Sequence, residues 1–202
     1  LNNAEGVYAR MVDFYAKFAE DNRFAYEMLE PEWANINQAI AAADALKKWP
    51  LVLQFTDALS NTWMTRARFG EAKQAYALAQ NAAEQLGDGV ALAATKLRWG
   101  ETCIEQSEYE EAKALLEDSL TLYVLQNDPN GIGNAKFHLS AIALEQSLLE
   151  RAEDLVRECL EIRHDLDDHR GIASAQILLA DIIYERDDFA EARALAASAL
   201  DI

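Results

Sequence analysis

The chain alternates apolar and polar residues with the spacing of α-helices along almost its whole length. Apolar residues recur three and four positions apart, which places them on one helical face, and short polar turns interrupt the pattern at regular distances. With only 3 Pro and 8 Gly among 202 residues, the composition also favours helices. The pattern predicts ten helices, over residues 5–20, 31–46, 50–67, 70–86, 89–106, 109–126, 130–146, 149–166, 170–186 and 189–201.

The helical pattern repeats in a 40-residue frame. A small residue recurs three positions after an aromatic residue or Leu, and two further small positions keep the same frame. The first set is Ala72, Ala112, Ala152 and Ala192; the second is Ala79, Ser119, Cys159 and Ala199; the third is Ser60, Gly100, Ser140 and Ala180. A large apolar residue precedes each member of the third set: Leu59, Trp99, Leu139 and Leu179. Because small residues let helices approach and large ones fill the space between them, the frame predicts repeated helix pairs.

The turns between the repeats follow the same frame. Gly87 and Asn127 suit the left-handed residue that ends a helix, and Asp88, Asp128 and Asp168 suit the N-cap of the next one. A small residue follows three positions later in each repeat: Ala91, Gly131 and Gly171. Asp residues could also bind metal, but their recurrence at every turn is what capping predicts.

Composition and charge narrow the possible partners. Asp and Glu outnumber Lys and Arg by 35 to 18, giving a net charge of −17, which repels nucleic-acid phosphates and anionic lipids. A basic or neutral partner fits better, although solubility alone also explains the acidity. Apolar runs fall short of the ~20 residues of a membrane span, and the start shows no secretory signal. Two cysteines are too few for a disulfide framework, so we expect a cytoplasmic protein.

The sequence offers little that could carry catalysis. Cys103 and Cys159 occupy core positions of the frame, and neither has a His partner in a recognisable motif. Four ionisable residues crowd one turn: His164, Asp165, Asp168 and His169. A metal could use them, but solvated turn residues are the commoner reason for such a cluster. We therefore expect no enzymatic activity, no metal and no cofactor in this chain.

The 40-residue frame resembles the tetratricopeptide repeat (TPR). The resemblance implies an all-α, right-handed superhelical solenoid of antiparallel helix pairs, with the first helix of each pair on the concave side. The predicted organisation is a pair of lead-in helices over residues 1–48, followed by repeats over residues 49–87, 88–127, 128–167 and 168–202 as one continuous solenoid.

The first third of the chain is similar to the lead-in region of a narrower group. Leu29, Glu30, Glu32 and Asn35 match its Leu-Glu-x-Glu-x-x-Asn pattern, and an alanine-rich stretch follows at residues 39–45. A helix ending in aromatic and Arg residues comes next: Trp63, Arg66 and Arg68 precede Gly70, Glu71 and Ala72. These features resemble the TPR sensor regions of bacterial signal-transduction ATPases with numerous domains (STAND proteins), relatives of NB-ARC and NACHT receptors and of a maltotriose-responsive transcription activator.

That resemblance implies a sensor and not the ATPase itself. The chain has no Gly-rich phosphate loop with Lys and Ser or Thr, so an ATPase module is expected outside this fragment. The sequence begins at Leu1 without Met and stops at Ile202 within a predicted helix. We therefore expect a piece of a longer protein in which further repeats follow.

The repeat register predicts a ligand-binding strip on the first helix of each pair. Its predicted members are Asp57, Asn61, Met64, Leu97, Glu101, Ile104, Asn134, Phe137, Leu144, Ile177, Asp181 and Tyr184, with Gln54, Ala94, Ala141 and Ser174 between them. Leu97, Phe137 and Ile177 hold equivalent positions in the 40-residue frame and either contact a ligand or pack between helices. Some TPR adaptors hold a carboxylate with basic and amide side chains. The strip has no basic residue beside Asn61 or Asn134, which disfavours that use.

Two functions are consistent with this sequence. The first is a sensor domain that binds a peptide, protein or small ligand on its concave face and thereby shifts a STAND-type ATPase between two states. The second is a constitutive scaffold or adaptor that mediates protein–protein interaction without switching. A peptide or protein is the expected partner in both.

Overall fold

The structure, a computed structural model, describes residues 3–200 and is all-α over that range. Its α-helices are α1 (Asn3–Asp21), α2 (Tyr26–Leu29), α3 (Trp33–Ala45), α4 (Trp49–Thr65), α5 (Phe69–Leu86), α6 (Gly89–Glu105), α7 (Tyr109–Gln126), α8 (Pro129–Glu145), α9 (Leu149–Asp165), α10 (His169–Glu185) and α11 (Phe189–Leu200). The ten predicted helices are confirmed to within a few residues; residue 201, where the last was expected to end, lies outside the described residues. Helices adjacent in sequence pack as pairs, as the repeat predicted.

The chain divides into two compact units, Leu1–Gln106 and Ser107–Ile202. In the first unit α1 packs on α3 and α4, and α5 packs between α4 and α6. Its core contains fully buried Phe55, Leu59, Trp63 and Tyr76, and the last two rings meet edge to face at 5.6 Å. In the second unit α9 packs between α8 and α10, and α11 completes the set against α10. The repeat boundaries inferred from sequence stay a prediction.

The lead-in region contains one element that the sequence pattern did not reveal. The short helix α2 runs into a 3-10 turn at Glu30–Glu32 before α3 begins. The guanidinium of Arg66 lies 3.7 Å from the ring centre of Tyr26, and that of Arg68 lies 4.4 Å from the ring of Trp33. These cation–π contacts join α2 and α3 to the end of α4. A four-residue helix is too short to show a helical period.

The small positions of the 40-residue frame lie where helices meet. Ala72, Ala112 and Ala152 are fully buried, and so are Ser119 and Cys159 apart from a trace of surface. The hydroxyl of Ser140 donates a hydrogen bond to the Ala152 carbonyl at 2.7 Å, which joins α8 to α9. A larger side chain at these positions would force the helices apart.

Left-handed residues end the helices at a constant spacing, which is half the length of the repeat frame. They are Lys47, Ala67, Gly87, Ser107, Asn127, Ser147, Asp167 and Asp187, with φ between 52° and 65°. The sequence identified Gly87 and Asn127 only. Lys, Ala and Ser seldom adopt this conformation, whereas Asp adopts it more readily and was missed at Asp167 and Asp187. The predicted N-caps are confirmed: carboxylates of Asp88, Asp128 and Asp168 accept hydrogen bonds from the N–H groups of Ala91, Gly131 and Gly171.

A glycine at Ala67 is expected to stabilise the protein. Ala67 is exposed and has a φ of 52°, where its Cβ is strained and glycine is not, so Ala67→Gly should raise the free energy of unfolding by about 1 kcal/mol. Ala77→Gly, at an exposed position inside α5, should lower it by about 1 kcal/mol. Urea denaturation followed by circular dichroism gives both values. Equal losses in the two variants would contradict the left-handed turn.

Candidate ligand-binding surface

Predicted ligand-binding residues in the second unit lie together on α8 and α10, which are the first helices of their pairs and contact each other. We call this the α8/α10 surface. It is formed by Asn134, Phe137, Ala141 and Leu144 on α8 and by Ser174, Ile177, Asp181 and Tyr184 on α10. Ile177 and Tyr184 expose 50% and 57% of their surface, and the apolar residues of α8 are half-buried beside them. The surface therefore presents apolar side chains flanked by amide and carboxylate groups.

Two pockets open at opposite ends of the α8/α10 surface. The first, of about 300 Å³, lies at the N-terminal ends of the two helices and is lined by Asn130, Asn134, Phe137, His138, Arg163, Asp168, Arg170, Gly171 and Ser174. We call it the amide pocket. The second, of about 580 Å³, lies at the C-terminal ends and is lined by Leu144, Glu145, Ser147, Leu149, Asp181, Tyr184 and Glu185. Five of the six residues predicted for this half of the strip thus line a pocket, and Ile177 lies between the two.

A buried arginine organises the amide pocket. Arg163, on α9, is 6% exposed, and its guanidinium donates hydrogen bonds to Oδ1 of Asn130 at 2.6 Å and Oδ2 of Asp168 at 2.9 Å. It also donates to Oδ1 of Asn134. A buried charge is costly unless it is paired and hydrogen-bonded, and these three partners meet that requirement. The guanidinium therefore holds both amides and the N-cap of α10 in one arrangement.

The arginine network corrects one inference from the sequence. The predicted strip had no basic residue beside Asn134, because Arg163 lies 29 positions further along the chain on the second helix of the pair. The contact between α8 and α9 brings the two together. Arg170, which also lines the amide pocket, was likewise missed. The sequence did hold one signal, a glycine at position 171, which is a small position of the 40-residue frame. In the structure Gly171 and Gly133 both lie against the Arg163 side chain.

In the first unit one predicted residue, Asp57, belongs to a network of charged groups. The carboxylate of Asp57 accepts hydrogen bonds from Arg98 at 2.6 Å and Arg23 at 3.1 Å. Burial alone would raise the pKa of Asp57, but the hydrogen bonds and charges of Arg98 and Arg23 outweigh it, so that the pKa is lowered. Asp57 is therefore an ionised partner of two arginines and not a free acid for a basic ligand.

The remaining predicted residues of the first unit differ in how accessible they are. Asn61 is exposed, whereas Met64 is half-buried and its sulfur accepts a hydrogen bond from the Thr102 hydroxyl. Glu101 and Ile104 are also half-buried. Leu97 is only 7% exposed, so its side chain packs between helices, the second of the two roles open to it. The equivalent apolar positions of the frame thus differ in the structure: Leu97 is buried, Phe137 is half-buried and Ile177 is exposed.

The two cysteines are buried, whereas three of the four ionisable residues at the turn between α9 and α10 are exposed. Cys103 and Cys159 are both buried as free thiols, and burial raises the pKa of Cys159, an effect that the nearby Arg163 only partly offsets. His164, Asp165 and His169 are exposed at the turn between α9 and α10. Asp168, the fourth residue of that turn, is already engaged by Arg163 and the Gly171 N–H.

Comparison with known proteins identifies the fold. No protein-family model matches the chain. No curated protein matches it either. Among solved structures, BtubC (BKLC) from P. vanneervenii superposes with a TM-score of 0.67 at 15% identity, covering 98% of this chain and 88% of that one.

Two structures of the nearly identical TPR-like repeats of a putative kinesin light chain from Podosopora anserina also match. One of them, a point variant, has a TM-score of 0.72 at 12% identity, and the other has 0.70 at 11%. Each covers 94% of this chain and 93% of its own. At these identities the likeness shows the fold, a TPR-like helical repeat. None of the helices in residues 3–200 is both long and apolar enough to cross a membrane.

Proposed function

We propose that this chain is a non-catalytic binding domain that recognises a peptide or protein segment on the α8/α10 surface. The observation that carries the proposal is the position of the two pockets. Both lie on the first helices of their pairs, and an exposed Ile177 lies between them. Ligand sites combine apolar area with a few placed polar groups, and this surface has both. The chain's overall fold, generally used for protein interaction, supports the same conclusion.

The narrower part of the proposal is that this domain acts as a sensor, so that ligand binding changes the state of a larger protein. The lead-in pattern at Leu29–Asn35 and the 40-residue frame resemble STAND sensor regions, so we propose that ligand binding here biases a switch in a larger signalling regulator. Such a bias requires different affinities of the ligand for the two states. A gene for the whole protein that encodes no nucleotide-binding module would leave the constitutive adaptor as the function.

The binding surface can be tested with a pair of variants that make the same chemical change. Ile177→Asp places a charge in the middle of the α8/α10 surface, and Leu125→Asp places one on α7, where the side chain is 73% exposed. Both positions are exposed, so both variants should fold. A buried apolar contact contributes about 1.5–3 kcal/mol, so Ile177→Asp should weaken partner binding at least tenfold.

The measurement is quantitative affinity capture from host lysate, followed by titration of the purified partner. Partners retained by the wild type and by Leu125→Asp but lost by Ile177→Asp would support the α8/α10 surface. Equal capture by all three proteins, at equal circular dichroism signal, would show that the binding surface lies elsewhere.

A further inference from the structure

The second pocket of the α8/α10 surface, at the C-terminal ends of the two helices, has three carboxylates in its lining and no cation: Glu145, Asp181 and Glu185. We call it the acidic pocket. Within residues 3–200 the carboxylates of Asp181 and Glu185 accept no hydrogen bond and form no ion pair, and Glu145 accepts only a long bond, 3.4 Å, from the Tyr109 hydroxyl. The negative charge of this pocket is therefore not neutralised by the part of the chain that the structure describes.

The basic residues that lie nearest do not serve the acidic pocket. Arg186 follows Glu185 directly, but its guanidinium donates to Glu153 on α9. Arg193, on α11, lines a neighbouring pocket together with Asp181 and forms no ion pair with it. Even with one arginine beside it, a pocket with three carboxylates keeps an excess of negative charge, which favours a cationic ligand.

The positions of these acids oppose the stability of their own helices. Glu145 and Glu185 are the last residues of α8 and α10, where the negative end of the helix dipole lies, and neither helix has a basic residue in its last turn. Asp181 lies four residues before Glu185, a spacing at which like charges repel each other. A cation between the two helix ends would relieve both effects, so the acids are explained by a ligand and not by folding.

The apolar part of the lining fits the stem of a long basic side chain. Leu144 and Leu149 supply aliphatic surface, and the largely exposed ring of Tyr184 offers a face for a cation. Lysine and arginine combine an aliphatic stem with a charged head, and the pocket has a surface for each part. The oxygens of the three carboxylates do not all lie within 4.8 Å of one another, so these residues do not form a site for a single metal ion.

The exposed Ile177 limits the kind of segment that can reach the acidic pocket. Ile177 lies one helical turn before Asp181 and about two turns before Glu185, a distance of about 6 to 12 Å along α10. An extended chain advances about 3.3 Å per residue. A segment that contacts both places therefore has its apolar residue about two to four positions from its basic one.

We propose that the acidic pocket binds the side chain of a lysine or arginine of the ligand, and that an apolar residue two to four positions away lies on Ile177. The inference rests on the proposed function, since it names the sequence of a segment bound on the α8/α10 surface. The charge of such a segment is opposite to the net charge of −17 that the whole chain carries, which favours their association.

The experiment uses the full chain labelled with ¹⁵N and follows the backbone amide signals of Ile177 and Tyr184. The probes are acetyl-Leu-Ala-Ala-Lys-amide and a counterpart with norleucine in place of Lys, which keeps most of the stem and removes the charge. We expect saturable shifts with the Lys peptide and a dissociation constant of about 1 mM. The norleucine peptide should bind about tenfold more weakly, because it cannot donate hydrogen bonds to the carboxylates.

Two matched double variants test the location of the site. Asp181→Asn/Glu185→Gln removes two charges from the acidic pocket and should weaken the Lys peptide about tenfold, with little effect on the norleucine peptide. Glu161→Gln/Asp165→Asn makes the same changes, also four residues apart, near the end of α9 and outside both pockets. This control should leave the affinity for the Lys peptide unchanged. All four residues are exposed, so both variants should fold, as circular dichroism will show.

Three results would overturn the assignment. Equal affinities for the Lys and norleucine peptides would mean that the charge is not recognised. Equal weakening by the two double variants would mean that the net charge of the protein, and not the acidic pocket, attracts the peptide. The Ile177→Asp capture experiment is independent: a partner lost there while the Lys peptide causes no shifts would refute the basic side chain and leave the proposed function standing.

Discussion

Gly131→Ala is expected to lower the free energy of unfolding by about 3 kcal/mol, the upper end of what overpacking a core costs. Gly131 is buried near the start of α8, and a Cβ added there would overlap the ring of Tyr123, itself buried at the end of α7. The aromatic ring cannot bend away as the end of a flexible side chain can. Either α8 shifts or Tyr123 leaves its place, and both disturb the turn capped by Asp128. Urea denaturation followed by circular dichroism measures the loss.

A comparison of the repeats suggests the control. The small residue is Ala91 where Ala83 stands eight positions before it, but it is glycine where that earlier residue is large: Tyr123 precedes Gly131, and Arg163 precedes Gly171. In a Tyr123→Ala background the added methyl group should therefore cost almost nothing, giving a coupling of about 3 kcal/mol in a double-mutant cycle. Gly70→Ala is the matched single control, because a Cβ there meets no atom within 4 Å. Additive effects of Tyr123→Ala and Gly131→Ala would contradict the proposed overlap.

Arg163→Ala is expected to cost a similar amount, about 3 kcal/mol, for a different reason. The substitution leaves the Oδ1 atoms of Asn130 and Asn134 and the carboxylate of Asp168 without their shared donor. It also removes a long side chain that is buried between helices. The loss should be visible by urea denaturation, and the amide signals of Asn130 and Asn134 should shift in the folded state.

Arg157→Ala is the matched control on the same helix. Arg157 pairs with Glu153 one turn away, but its side chain is 49% exposed, so the pair is screened and its loss should cost less than about 1 kcal/mol. If Arg163→Ala lowers the free energy of unfolding no more than Arg157→Ala does, the Arg163 network does not stabilise the protein. Water would then supply the hydrogen bonds that its polar groups have lost.

The positions of the helices and of their contacts could be predicted because both depend on local and periodic features. A helical period places apolar residues on one face whatever lies opposite, and small residues such as Ala72 and Ala152 have no other reason to recur once in every repeat. Capping by Asp88 and Asp128 needs only the next turn of the chain. The left-handed Gly87 and Asn127 could be identified for the same reason, whereas Ala67 could not, since its residue type disfavours the conformation that the turn imposes.

By itself the sequence thus determined the all-α repeat, its helices and their close contacts, and it predicted a binding strip on the first helix of each pair. The tertiary structure alone decided which candidates a ligand can reach: it buries Leu97, exposes Ile177 and gives Asp57 two arginine partners. It also placed Arg163 behind Asn130 and Asn134. The reason is physical: a helical period records which face of a helix is apolar, but the exposure and charge of a side chain depend on residues that a neighbouring helix brings from a distant part of the sequence.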